Sequence, residues 1–135
     1  MFRLVFFALA ALPSMVYAQT TGQRFDLHCT GKRFVGDFKD LSDKSKYLNT
    51  TIRYKVDLDS GLWCSGACIE TNSIFSVSHT KIVLLFEETD DLEQVVFVNR
   101  ETGALLDRMR LLPYLVMTTA SCAPSAFTGF PARKF

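Results

Sequence analysis

The sequence predicts an all-β fold: a small antiparallel meander, curled into a barrel or sandwich and stapled by disulfides. Three observations lead there. Residues 25–30 and 52–58 alternate apolar and polar side chains with a period of two, the pattern of strands with one buried and one wet face. Turn-forming sequences such as Asp59-Ser60-Gly61 and Arg100-Glu101-Thr102-Gly103 punctuate the chain, and helical periodicity is nearly absent. The four cysteines are even in number and follow a leader of the exported type.

That leader comes first. Met1-Phe2-Arg3 carries one positive charge, residues 4–12 are apolar and uncharged, and Val16-Tyr17-Ala18 places small residues where a signal peptidase reads them. Residues 1–18 therefore read as a secretory signal peptide, and residues 19–135 as a single secreted β-domain. The apolar run falls short of the about 20 residues a spanning helix needs, and no other segment approaches that length without charge. A short, weakly charged leader suits bacterial export, with the periplasm as the expected destination. A chain of this size buries roughly two-thirds of its unfolded surface, enough for one core.

The full chain holds 15 Lys and Arg against 14 Asp and Glu. Loss of Arg3 with the leader balances the two. A neutral domain has no long-range field to draw it to nucleic acid or anionic lipid, so those partners are set aside.

The strands follow in order. Phe25, Leu27 and Cys29 share one face of the first, with Asp26, His28 and Thr30 on the other. Residues 40–47 are charged and lack an apolar stripe, so they read as a loop, with Ser42 a possible cap for a helical turn. Ile52, Tyr54, Val56 and Leu58 line the second strand, which stops at Asp59-Ser60-Gly61. Residues 62–64 resume an extended path and residues 74–77 form a short strand. Residues 81–87 place Ile82, Leu84 and Phe86 on one face, but Val83 and Leu85 make the other apolar too, as in a strand covered on both sides. Residues 94–99 and 104–110 flank the turn at Gly103, which supplies a positive φ. Residues 114–122 close the series. The tail, residues 123–135, carries Pro124, Gly129 and Pro131 and reads as irregular.

Four cysteines allow three pairings. The reading favours Cys64 with Cys68, held close by a three-residue spacer containing Gly66, and Cys29 with Cys122, joining the ends of the fold. Loop-closure entropy assigns about 4–5 kcal/mol to the long bridge and about 2 kcal/mol to the short one. The long bridge would set the first and last strands side by side and close the sheet, protecting its edges.

The motif order resembles a group of small exported bacterial proteins with no assigned activity. The residues that carry the resemblance are Phe25-Asp26-Leu27-His28-Cys29, then Tyr54-Lys55-Val56-Asp57-Leu58 running into Gly61-Leu62-Trp63-Cys64 and Cys68. Val98-Asn99-Arg100-Glu101-Thr102-Gly103 follows, and Cys122-Ala123-Pro124 leads to Phe127-Thr128-Gly129-Phe130-Pro131 and the terminal Lys134-Phe135. The resemblance spans most of residues 19–135. It implies one secreted β-domain with two bridges, and neither a reaction nor a ligand.

Candidate chemistry is sparse. Trp63-Cys64-Ser65-Gly66-Ala67-Cys68 is the sharpest motif, because a Trp before a cysteine pair is also found in thiol–disulfide exchangers. Those use a two-residue spacer at a helix N-terminus, where the helix dipole lowers the thiol pKa. Here the spacer is three residues and the flank reads as strand and turn, which favours a structural clip. Oxidised cysteines do not ligate metal, and His28 and His79, the two histidines, fit no common zinc spacing. His28 lies on a wet strand face and His79 in a turn, so neither is set beside a nucleophile as a general base. No catalytic residue, cofactor or metal is assigned.

Phe127, Phe130 and Phe135 are large apolar groups in a Pro-containing tail. They are expected either to cap the barrel or cover the Val83 and Leu85 face, or to form an interaction surface for a protein partner. A terminal Phe is also found in outer-membrane barrels, but Pro131, Arg133 and strands expected to be shorter than about 9–11 residues argue against that fate. The expected role is a non-catalytic binding or interaction domain of the bacterial envelope. Its partner would be a protein, an envelope component or a small apolar ligand in the barrel mouth. Two alternatives stand beside it: a thiol–disulfide oxidoreductase acting at Cys64 and Cys68, and a structural or assembly protein docking through its Phe-rich tail.

Overall fold

A computed structural model describes residues 23–132. Residues 1–18, expected from the sequence to be a signal peptide, lie outside the described residues, as do Arg133 and Phe135. Nine antiparallel strands make one curled sheet: β1 (Arg24–Asp37), β2 (Tyr47–Asp57), β3 (Leu62–Ser65), β4 (Asn72–Ser73), β5 (Ser76–Val77), β6 (Lys81–Glu88), β7 (Leu92–Asn99), β8 (Ala104–Leu111) and β9 (Tyr114–Ala126). Their order across the sheet is β4-β3-β2-β1-β9-β8-β7-β6-β5. The all-β, disulfide-stapled meander read from the sequence is the fold observed.

Register explains the core. Leu27 pairs with Tyr54, Cys29 with Ile52, Val56 with Trp63, Ile82 with Val98, and Leu105 with both Val98 and Ala120. Directly paired residues share a face, so these side chains all project from one side of the sheet. Trp63 of β3 and Ile82 and Leu84 of β6 belong to the same buried cluster although their strands lie far apart in the order. A flat sheet would not bring them together. The sheet is therefore curled with this face concave.

The edges come together through one short strip. β4 and β5 are the two edge strands, and only Ile74 and Phe75 separate them in sequence. Ile74 N–H donates to the Gly61 carbonyl at 2.8 Å on one side, and Phe75 N–H to the Val83 carbonyl at 3.0 Å on the other. The strip spans the gap between the first-half and second-half edges. This corrects two expectations. Residues 74–77 are not one strand but the link between two edge pairings. The Cys29–Cys122 bridge does place β1 beside β9, but that pair sits mid-sheet, and the edges meet at residues 72–77 instead.

The long strands are longer than the sequence pattern implied: β1, β2 and β9 run 14, 11 and 13 residues. β9 continues through residues 123–126, so the tail leaves the sheet only after Ala126, not at Ala123. Pro124 is tolerated there opposite Leu27. Gly31 lies midway along β1, where a Cβ would come within 2.0 Å of the Thr119 carbonyl oxygen. Only glycine permits β9 to approach so closely.

The stretch read as a loop, residues 40–47, is flanked and entered by two 3-10 turns, Phe38–Asp40 and Lys44–Lys46. Asp37 and Asp43 cap them by accepting from Lys39 N–H and Ser45 N–H, each at 3.0 Å. The segment folds back toward β1. Tyr47 donates its hydroxyl to the Leu41 carbonyl at 2.8 Å, and its ring lies 5.2 Å from that of Phe34. Phe34 is fully buried. It sits on the opposite face from Leu27 and Cys29, so a second, smaller core forms on the convex side.

Candidate functional site

The disulfides fix the local frame. Cys29 bonds Cys122, and Cys64 bonds Cys68. No described cysteine is free. Cys64 has no exposed surface and Cys68 is 7% exposed. Positive φ at Gly66 and at Cys68 turns the chain sharply enough to bring the two sulfurs together. The flank of Cys64 is strand β3, with no helix N-terminus to lower a thiol pKa.

The tail is fastened to the convex face of β1 and β2. Asp26, buried in this face, accepts from the Thr128 hydroxyl at 2.6 Å and from Thr128 N–H at 3.3 Å. Lys55, its cross-strand neighbour, donates to the Thr128 hydroxyl and the Gly129 carbonyl, each at 2.7 Å. Phe127 and Phe130 stack edge to face with centroids 5.3 Å apart and are half-buried. The tail thus lies against the sheet near Asp26 and Lys55, rather than over the barrel end or the Val83 and Leu85 strand. Asp26 had read as a solvated position. Its burial follows from the returning tail, which strand alternation does not announce.

The concave face opens at one end into a cavity of about 850 Å³. Phe25 and Leu27 of β1, Ile82 of β6, Val98 of β7, and Cys122 and Pro124 of β9 line it with apolar surface. Alternation puts residues 122, 124 and 126 of β9 on the concave side, opposite Cys29, Leu27 and Phe25. Small residues here, including Ala126, leave the space that larger side chains fill deeper in the core.

Two arginines stand at the cavity rim. Arg24 directs Nε toward Asp57 at 3.3 Å and Asp59 at 3.4 Å. Arg100 is held by the turn after β7. Its N–H donates to the Thr80 carbonyl at 2.8 Å, and its guanidinium Nη1 to the Ser78 carbonyl at 2.9 Å. Asn99 Oδ1 accepts from Glu101 N–H and Thr102 N–H, which locks the turn. Gly103 closes it with φ 74°, and a Cβ there would come within 2.5 Å of the Cys122 carbonyl oxygen. The turn is thereby pressed against the strand that carries the long disulfide.

A buried polar pair lies deeper on the concave face. Tyr54 donates its hydroxyl to Asp107 Oδ2 at 3.1 Å. Burial, then the Asp107 charge and this hydrogen bond, push the Tyr54 hydroxyl far above the usual phenol range, so it stays protonated. Burial raises Asp107 as well, against the lowering effects of the Tyr54 bond and the Arg33 charge. At the other end of the fold Asp57 is held below the usual carboxylate range. Burial alone would raise it, but the N–H groups of Ser60 and Asp59 and the Arg24 charge outweigh that.

Of the residues singled out from the sequence, Cys122 and its bridge reach the cavity wall. Cys64, Cys68, Phe127 and Phe130 pack elsewhere. His28 is half-buried on the convex face and His79 is exposed in the turn before β6. No group of three or more His, Cys, Asp or Glu able to hold a metal occurs among the described residues. No described helix is long and apolar enough to cross a membrane. Sequence reading missed Arg24 and Arg100 as rim residues. Arg100 lay inside a motif already noted, but its place on the cavity depends on β8 folding back against β9.

The fold and site define a class: a disulfide-stapled, curled antiparallel sheet with an apolar cavity at one end of its concave face. No protein-family model, curated protein or solved structure matches the chain.

Proposed function

We propose that this protein is an exported, non-catalytic binding domain that takes a small apolar ligand into the mouth of its curled sheet. The observation that carries this reading is the cavity of about 850 Å³ lined by Phe25, Leu27, Ile82 and Val98. Its volume falls in the range of small-molecule sites, which are mostly apolar with a few polar groups at fixed positions. A leader of the export type and two disulfides support an extracytoplasmic setting, with the bacterial periplasm as the proposed destination. The burial of Cys64 and Cys68 supports a structural role for that bridge over thiol exchange. The Asp26–Thr128–Lys55 bonds support the tail as part of the folded domain, which weighs against an assembly role for Phe127 and Phe130.

The test is fluorescence titration with N-phenyl-1-naphthylamine, a neutral apolar probe. Binding at micromolar concentration is expected. Ala126→Phe, which places a ring in the mouth from an exposed position, should weaken it about tenfold. A folded protein that gives no enhancement with the probe would end this reading.

A further inference from the structure

We infer that the ligand is a single-chain amphiphile with an anionic head, and that Arg100 at the rim receives that head. This rests on the cavity being the binding site, and it adds the chemical class of what enters.

The cavity lining is mixed: beside the apolar Phe25, Leu27, Ile82 and Val98 it includes Arg24, Asn99, Arg100 and Ser125. A wholly apolar ligand would cover the apolar lining and leave two guanidinium groups beside hydrocarbon. A wholly polar one would leave Phe25, Ile82 and Val98 against water. Only a ligand with both parts satisfies both.

The two arginines are not equivalent. Asp57 and Asp59 already neutralise Arg24. Arg100 makes no ion pair with a described residue; its one side-chain partner is the neutral Ser78 carbonyl. A guanidinium has five N–H donors, so most of its capacity remains. The acidic neighbour Glu101 is exposed in the turn and does not line the cavity. The uncompensated positive charge at the rim is therefore that of Arg100.

Arg100 is also held in place before any ligand arrives. Its backbone bonds Thr80, its side chain bonds Ser78, Asn99 locks the turn, and Gly103 packs that turn on Cys122. A cation fixed in this way loses little conformational freedom on binding an anion. A carboxylate or a phosphate monoester has the planar or trigonal oxygen array that a guanidinium fork matches.

The experiment measures decanoate, decyl phosphate and decanol as competitors of N-phenyl-1-naphthylamine on the purified protein. The three share one chain and differ in the head. Decanoate or decyl phosphate is expected to bind at least tenfold more tightly than decanol, since charge-assisted bonds are the strong ones. Whichever of the two binds more tightly identifies the head. In Arg100→Gln the ratio of anion to alcohol affinity should fall to about one, and Arg100→Lys should restore part of it. Equal affinity for anion and alcohol in the unaltered protein would overturn the inference while leaving the apolar site intact. An anion preference that survives in Arg100→Gln would overturn the assignment of Arg100. Failure of the neutral probe and all three competitors to bind would remove the cavity reading itself.

Discussion

The two halves of the β1–β9 pair bury their large apolar side chains on opposite faces. On the Cys29 side of Gly31, Leu27 and Cys29 project into the concave core and are 5% and 0% exposed. On the other side, Phe34 and Leu115 are buried on the convex face, while Val35 and Tyr114 on the concave face are 57% and 64% exposed. The register between the strands runs from residue 25 to residue 37 without a shift, so alternation itself is intact. What changes is the cover. Near Cys29 the opposite wall of the curled sheet faces the strand. β3 pairs with β2 only along residues 54–57, level with residues 24–27 of β1, so β3 stops well short of Val35. There the chain instead folds residues 38–47 over the convex side. Alternation creates two faces, and whichever element lies across from a face decides whether it is core.

The largest effect is expected in the half fixed by the bridge. Replacing Cys29 and Cys122 by Ser is expected to cost about 4–5 kcal/mol in urea unfolding, against about 2 kcal/mol for replacing Cys64 and Cys68. The long bridge joins the two strands at the centre of the sheet order and borders the cavity, so its loss should also abolish probe binding. Equal losses from the two pairs would mean that the β1–β9 register is set by its backbone pairing and not by the bridge.

The next effect tests the switch of faces. Phe34→Ala should cost about 3–4 kcal/mol, because it empties a fully buried site beneath Tyr47. Val35→Ala, one residue away on the open face, should stay within about 0.5 kcal/mol. A large penalty at Val35 would show that its face is covered in solution.

This switch marks the limit of what the sequence makes legible. Period-two runs at residues 25–30 and 52–58 were enough to identify strands and their inner residues, because both faces there differ strongly in polarity. The pairing of the four cysteines was readable as well, since one spacer is short and the other bridge spans the fold. Residues 31–37 lack that contrast: Arg33, Phe34, Val35 and Gly36 show no clean alternation, and the strand continues through them because β9 pairs along this whole stretch and β2 as far as Phe34. The cavity was less legible still. Its lining residues come from β1, β6, β7 and β9, and Arg100 reaches the rim through a turn packed on Cys122. Such a site is a property of tertiary closure, not of any one segment.

The smallest effect separates two aspartates, one beyond each end of the core, by the sign of their pH dependence. An unfolded Asp titrates near about 3.9. Asp57 has its pKa lowered in the fold, so its contribution is complete above that value and is lost as pH falls through the lower folded pKa. Asp107 has its pKa raised, chiefly by burial. The folded state then holds that proton more tightly, and the contribution of Asp107 to stability declines as pH rises from about 3.9 through its folded pKa. Between pH 4 and pH 7 Asp107 supplies the slope and Asp57 none. Asp107→Asn keeps an acceptor for the Tyr54 hydroxyl and removes the titration, so its urea midpoint relative to the parent should rise from pH 4 to pH 7. Tyr54→Phe should instead cost about 1–2 kcal/mol at pH 7, because the buried Asp107 carboxyl is left without its donor. An Asp107→Asn midpoint that falls relative to the parent over the same range would mean that the Arg33 charge, and not burial, governs this carboxylate. The exposed concave face around Val35 would then hold an ion pair strong enough to offset burial.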